Sequence, residues 1–158
     1  MPTTTDYTDR TRDLCIYTNF DWADAAMQAV DISLNGIEGG LICSGTVKLA
    51  QKVLIALLSY GSAYDTVPSS LLAEYLQTGE SRPARLYSAI TIAFTQTKAY
   101  INNNLPDDAP DDERVSSIKL VEWNYDRAAG SLDIEIEVYS VGGSNFPLLI
   151  PLNVGTIT

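Results

Sequence analysis

Histidine does not occur anywhere in the 158 residues of this chain. Its absence excludes Ser-His-Asp and Cys-His catalysis, His-containing zinc sites and imidazole acid–base chemistry. Hydrolysis would then need two carboxylates, one protonated and one ionised. The candidates near predicted loops are Glu74, Glu80 and Glu113, but nothing in their spacing separates them from the other acids among the 20 Asp and Glu. We interpret them as solvated surface carboxylates and predict no catalytic residue.

Basic side chains are also scarce: 10 Lys and Arg stand against 20 Asp and Glu, which gives a net charge of -10. Phosphate backbones and anionic lipid surfaces attract clustered Lys and Arg, so neither nucleic acid nor a membrane is an expected partner. The longest wholly apolar run is 53–58, too short to span a bilayer, and residues 1–6 have no features of a secretory signal. We expect a protein made in a cytoplasm.

Cysteine is limited to Cys15 and Cys43, which form neither a CxxC pair nor a dense framework. We interpret them as two reduced, half-buried side chains. The glycines of 36–40 do not form G-x-G-x-x-G, and no Gly-Lys-Ser/Thr sequence exists, so they indicate a turn rather than a phosphate-binding loop. No cofactor is expected.

The acidic segment 107–113 invites a calcium interpretation. An EF-hand loop needs alternate acidic ligands, Gly at its sixth position and Glu at its twelfth. Here prolines interrupt the run and no glycine follows at the required place. A solvated loop is the better interpretation, and no metal site is predicted. The acids of the segment are Asp107, Asp108, Asp111, Asp112 and Glu113.

Two helices are predicted from apolar periodicity. The first starts at Ser44-Gly45-Thr46, carries one apolar stripe from Val47 to Leu58 and stops at Gly61. A short amphipathic piece follows around Leu71. The second helix has Pro83 in its first turn and ends at 102–104. Its predicted buried face is Leu86, Ile90, Ala93, Phe94, Thr97 and Ile101.

The strands are predicted mostly in the last third of the chain. Residues 32–34 and 41–43 flank the glycine-rich turn as an early hairpin, and 115–125 is an extended run. In 132–138 apolar and acidic residues alternate strictly, which indicates one buried and one wet face. The segment 146–152 is apolar, but Pro147 and Pro151 restrict it to an edge.

These elements predict an α+β fold, with two main helices packed on a mostly antiparallel sheet that has a carboxy-terminal β-hairpin and an edge strand. We expect a flexible arm over 1–12 and a single domain over 13–158. The edge strand leaves two interpretations open. Its backbone accepts a partner strand, beside a wet face that suits a basic arm, or its prolines block pairing and its apolar residues close the core.

Across 28–152 the order of motifs resembles the baseplate wedge, or sheath-initiator, family of contractile phage tails, some members of which carry a "lysozyme-like" label. The first helix and its corner match at Gln51, Leu57, Leu58, Gly61 and Asp65. The sequence 112–115 resembles the family's acidic-x-Arg motif, with Glu113 where proline is common. The segment 132–138 resembles the return strand of its hairpin.

The resemblance implies a structural subunit of the virion, not an enzyme, with one copy in each wedge of a sixfold baseplate that is assembled in the host cytoplasm. It implies contacts with other wedge subunits and with the tail sheath protein. A tail-completion or head–tail connector subunit, and a peptidoglycan hydrolase that uses two carboxylates, remain alternatives. The predicted partner-binding residues are Asp112, Glu113, Arg114, Asp133, Glu135, Glu137, Phe146, Leu148 and Ile150.

Overall fold

The strictly alternating segment forms the central strand of the main sheet. The computed structural model describes residues 13–14, 42–43, 45–60, 68–79 and 82–153. In that part of the chain the main sheet has the order β3-β4-β5, all antiparallel, with β3 at Val115–Asp126, β4 at Ser131–Ser140 and β5 at Asn145–Asn153. The predicted α+β fold is confirmed. The inward residues of β4 are fully buried, as predicted: Leu132, Ile134, Ile136 and Val138.

Three helices share one core with the inner face of this sheet within the described residues: α1 at Gly45–Leu58, α2 at Leu71–Gln77 and α3 at Pro83–Asn103. Helices α1 and α3 contact the strands, and α2 packs on these two helices. The predicted helix starts at Gly45 and Pro83 are confirmed, and the short amphipathic piece is α2. None of these helices is both long and apolar enough to cross a membrane. Every residue predicted for the buried face of α3 is buried, and Ala89 joins them.

Helix α1 is buried more widely than its predicted apolar stripe. Leu49, which lies outside that stripe, has no exposed surface, and the polar residues Lys48 and Gln51 are also buried. The stripe ends Val47 and Leu58 are only half-buried. The single-stripe prediction is therefore too narrow, because α1 contacts α2, α3 and the turn before β3 at once.

Ser70 joins the end of α1 to the start of α2. Its hydroxyl donates to the carbonyl of Leu57 and accepts from the N–H of Ala73, which makes Ser70 the N-cap of α2. From α3, Gln96 Oε1 accepts a second amino-terminal N–H of α2, that of Leu71, at 3.1 Å. One carbonyl at the end of α1 and two N–H groups at the start of α2 are thus satisfied inside the subunit.

The start of β3 is fastened to α3 by side chains. Asn102 exchanges two hydrogen bonds with the N–H and C=O of Val115, both at 2.9 Å. One turn earlier, Lys98 Nζ donates to the carbonyl of Ser116 at 2.6 Å. Further along the same strand the ring of Trp123 lies 6.1 Å from that of Tyr87. Helix α3 therefore lies along β3 from one end to the other.

Hydrogen bonds join the turn between β4 and β5 to the 3₁₀ turn at Asp111–Glu113. Gly142 N–H donates to the Asp111 carbonyl at 3.1 Å, and Ser144 Oγ donates to Asp112 Oδ1 at 3.3 Å. A Cβ at Gly142 would collide with that same carboxylate oxygen. The next residue, Gly143, has a φ of 89°, which favours glycine for a different reason.

A second, two-stranded pair joins β1 at Asp13–Leu14 to β2 at Ile42–Cys43, antiparallel. β2 corresponds to the second strand of the predicted early hairpin. Its predicted partner at 32–34 and the turn at 35–40 lie outside the described residues. So do the arm at 1–12, Cys15 and the helix stop at Gly61.

The contact at Gly142 predicts a specific loss of stability. We expect Gly142→Ala to lower the free energy of unfolding by about 1–3 kcal/mol, because the added methyl group overpacks the site against Asp112. In an Asp112→Ala background the same change is expected to cost much less. Urea denaturation of the four proteins forms a double-mutant cycle that measures the coupling.

Gly143→Ala is the matched control. No atom lies within 4 Å of the added methyl group, so its cost comes from the backbone angle and is expected to be the same in both backgrounds. Equal costs of Gly142→Ala with and without the Asp112 carboxylate would contradict the proposed collision.

Candidate partner-binding surface

Glu113 is buried at the amino-terminal end of α1. Only 3% of its side chain is exposed, its Oε2 lies 2.8 Å from Lys48 Nζ, and its Oε1 accepts the N–H of Gly45 at 3.3 Å. A carboxylate at this position interacts favourably with the positive end of the helix dipole as well as with the lysine. The interpretation of Glu113 as a solvated surface acid is wrong, and its side chain is committed inside the subunit.

Arg114 binds the loop that precedes it. Its guanidinium donates to the carbonyls of Pro106 at 3.1 Å and Asp107 at 2.9 Å, and its Nε donates to that of Ala109 at 3.2 Å. The planar fork therefore closes 106–109 into a compact loop directly before β3. Arg114 is one of the predicted partner-binding residues. In the structure it caps carbonyls of its own chain.

The acids of 107–113 point to different places. Asp112 faces the β4–β5 turn, Glu113 faces Lys48, and Asp107 and Asp108 are exposed at the surface. Across the part of the chain that the structure describes, no group of three or more acidic or thiol side chains is arranged to hold a metal ion. The hydrogen bonds that the Arg114 side chain donates to backbone carbonyls organise the loop 106–109.

The three apolar side chains predicted to bind a partner from β5 point into the core. Phe146, Leu148 and Ile150 are each at most 3% exposed. They lie opposite Val138, Ile136 and Ile134 in the register of β4 and β5. Their burial favours the interpretation in which the apolar residues of this strand close the core, because alternation along β5 places the even-numbered residues on the inner face.

The prolines of β5 act on its backbone. Ser140 N–H donates to the Ser144 carbonyl at 2.8 Å, so from this pair outward the even-numbered residues of β5 turn their N–H and C=O groups toward β4. Odd-numbered residues turn theirs away. Pro147 and Pro151 therefore remove two donors from the outward edge. This geometry favours the interpretation in which the prolines block strand addition at β5.

The remaining predicted residues, Asp133, Glu135 and Glu137, are half-buried on the outward side of β4. We call this side, with its cross-strand neighbours, the outer sheet face. Lys119 lies opposite Glu137 and is the only cation at these positions, whereas Glu122 lies directly opposite Glu135. The face comprises Ser117, Lys119, Glu122, Asn124, Asp133, Glu135, Glu137, Tyr139, Asn145, Pro147, Leu149 and Pro151.

One carboxylate of the outer sheet face is held by hydrogen bonds. The hydroxyl of Tyr139 donates to Glu137 Oε2, and Asn145 Nδ2 donates to Oε1 at 2.6 Å. These bonds, the Tyr139 bond first, lower the pKa of Glu137, and nearby Lys119 adds to the effect. The same bond raises the pKa of Tyr139. Lys119 Nζ also lies 4.5 Å from the centre of the Tyr139 ring.

Sequence reasoning missed Lys48, which the structure makes the partner of Glu113. Lys48 lies inside the apolar first helix, and a cation at such a position is one signal that a buried acid is near. The pattern does not say which of the 20 acids that is.

Comparisons with known proteins return no match: no family model, no curated protein and no solved structure is similar to this chain. The outer sheet face and the motifs of the sequence are therefore the features that indicate a function.

The Lys48–Glu113 pair predicts a large loss of stability when only one charge is removed. We expect Glu113→Gln to lower the free energy of unfolding by about 3–5 kcal/mol, because the ammonium loses its carboxylate in a buried site. The double variant Lys48→Met/Glu113→Gln is expected to recover most of this, since the Gln oxygen still accepts from Gly45. Urea denaturation measures both.

Glu74→Gln is the matched control, because Glu74 is exposed on α2 and the change is chemically identical. We expect it to alter the unfolding free energy by no more than about 0.5 kcal/mol. A double variant as unstable as Glu113→Gln would show that the pair itself, and not the uncompensated charge, carries the stability.

The Glu137 network predicts a shift in titration. We expect Tyr139→Phe to raise the pKa of Glu137 toward the ordinary 4.5, and Asn145→Ala to raise it less, because the Tyr139 bond is the larger cause. Glu137 contributes stability above its unfolded pKa, which is lost as pH falls through the lower folded pKa. Tyr139→Phe reduces that contribution. Carboxyl ¹³C NMR titration measures the midpoints, with Tyr125→Phe as the control, and an unchanged Glu137 midpoint would contradict the network.

Proposed function

We propose that this chain is a structural, non-enzymatic subunit of a contractile phage tail baseplate wedge, which docks onto other wedge proteins and templates the first sheath ring. The observation that supports it is the outer sheet face. Four carboxylates lie on two adjacent strands of this face, at Glu122, Asp133, Glu135 and Glu137, beside one lysine. The resemblance of the motifs to the sheath-initiator family supplies the assembly in which such a face has a partner.

The geometry of the acids supports a role in binding. Glu113, one of the hydrolase candidates, neutralises Lys48 in the core, and Glu74 is exposed on α2. A glycosidase needs two carboxyl groups on either side of one bond, with different environments. A face of several half-buried carboxylates instead provides complementarity for a basic surface, which sets the orientation and the encounter rate of a partner.

The contact with sheath is proposed to lie across the face of the sheet. The core side chains of β5 are not available to a partner, and Pro147 and Pro151 remove donors from its outward edge. On the outer sheet face, Leu149 is half-buried and lies opposite Glu135. A basic segment with one apolar anchor would match this pair, its cations meeting the carboxylates and its anchor meeting Leu149 and the prolines.

Charge reversal on the outer sheet face tests the proposal. We expect Asp133→Lys/Glu135→Lys, placed in the phage that encodes this chain, to give tails whose tubes carry no sheath, because the basic partner is repelled. Electron microscopy of purified particles measures the fraction of sheathed tails. Glu74→Lys/Asp107→Lys changes two exposed acids elsewhere by the same net charge and is expected to leave sheathing normal.

Normal sheathing by the outer-face variant would contradict the proposed contact. If the chain is found at the head–tail junction and not at the distal end of the tail, the connector function would be favoured over the wedge function. Clearing of peptidoglycan in a gel by the purified wild-type protein would replace it by the hydrolase alternative.

A further inference from the structure

The two edges of the main sheet differ in their backbone groups. At β5 the outward positions include Pro147 and Pro151, which remove donors. At β3 the segment 117–125, which we call the β3 edge, contains no proline. The β3 edge therefore keeps its backbone donors, although a β-bulge between Leu120 and Glu122 interrupts its pairing with β4.

Helix α3 lies along β3, but its side chains hydrogen-bond the backbone of only the first residues of that strand. Asn102 satisfies both backbone groups of Val115, and Lys98 binds the carbonyl of Ser116. Beyond that point Lys119, Glu122 and Asn124 lie opposite the odd-numbered residues of β4, whose backbone groups face β3. Ile118, Leu120 and Trp123 therefore turn their N–H and C=O groups outward, away from β4.

The charges along the β3 edge are complementary to a copy of themselves. Lys119 and Glu122 both lie on the outer sheet face, three positions apart, with a register shift between Leu120 and Glu122. Glu122 lies directly opposite Glu135, a like-charge pair that destabilises a sheet. A cation on the other side of Glu122 would relieve that repulsion.

We propose that two copies of this chain pair through their β3 edges, antiparallel, around a twofold axis between Leu120 and Val121. In this register Lys119 of each copy lies opposite Glu122 of the other, so one contact forms twice. Ile118 pairs with Trp123 in the same way, exchanging N–H···O=C bonds. The two three-stranded sheets become one sheet of six strands.

Backbone direction and side-chain faces agree at the pairs on either side of the axis, and the β-bulge of each copy lies at the axis itself. The paired residues Ile118 and Trp123 both turn backbone groups outward and both place side chains on the inner face, where a β-branched and an aromatic residue form a favourable cross-strand pair. Lys119 and Glu122 both lie on the outer face. Val121, 56% exposed, is covered at the axis. A shift by one residue would place Lys119 on the face opposite to its partner.

The net charge of -10 opposes association over long distances. At physiological ionic strength the screening length is about 8 Å, so distant charges contribute little while the two contact pairs persist. A second copy is favoured over an unrelated strand because each copy presents both Lys119 and Glu122, so that both contacts join opposite charges. The proposal concerns the isolated protein and goes beyond the wedge function, which does not depend on it.

Analytical ultracentrifugation of the full chain at physiological salt tests the pairing. We expect a dimer with a dissociation constant in the micromolar range. Lys119→Glu and Glu122→Lys are each expected to raise that constant about tenfold, because both pairs per dimer become like-charged. The double variant Lys119→Glu/Glu122→Lys is expected to restore it. Glu74→Lys has the same charge change as Glu122→Lys and is expected to leave the constant unchanged.

Cysteine cross-linking checks the register independently of stability. In a Cys15→Ser/Cys43→Ser background, a Lys119→Cys protein mixed with a Glu122→Cys protein is expected to form a disulfide dimer, and neither protein alone. A monomer at all concentrations, a dimer that the charge changes do not affect, or equal cross-linking in the unmixed proteins would each overturn the proposal. None of these results bears on whether the outer-face variant sheathes tails.

Discussion

The carboxylate of Glu113 is the contact on which the helical layer and the sheet both depend. It neutralises Lys48 and binds the N–H of Gly45, so the start of α1 is fixed to the residue that almost immediately precedes β3. Arg114 then closes 106–109 beside it. Burying two charges is costly, and the close pairing with Lys48 together with the bond from Gly45 offsets that cost while joining α1 to the turn before β3.

The sequence predicts those elements whose pattern is set by one buried face. Strand β4 and helix α3 alternate between core and surface at their ideal periods, so their predicted buried residues agree with the structure. The hydrophobic pattern does not predict burial that depends on a distant polar contact. Lys48 is a cation in an apolar helix and Glu113 is an acid in a loop, and only the fold shows that they form a buried pair. The pattern also does not place Phe146, because an apolar edge strand has the same sequence pattern whether its side chains pack in the core or against a partner.

Two groups of polar side chains in the described chain have different roles. One set is used internally: Ser70 and Gln96 cap α2, Asn102 and Lys98 hold the start of β3, and Arg114 binds its own loop. The other set lies on the outer sheet face. The first set makes a stable subunit from helices with few charges, and the second supports the proposed docking, since a face of like charges is retained at some cost in stability.

The position of the chain in an assembled particle tests the central claim most directly. A cryo-EM map of the contractile tail in which this chain is proposed to assemble is predicted to show this fold at the base of the sheath, with Asp133, Glu135 and Glu137 against basic side chains of the first sheath ring. A map in which the fold lies elsewhere in the particle, or in which the outer sheet face meets only solvent, would contradict the account.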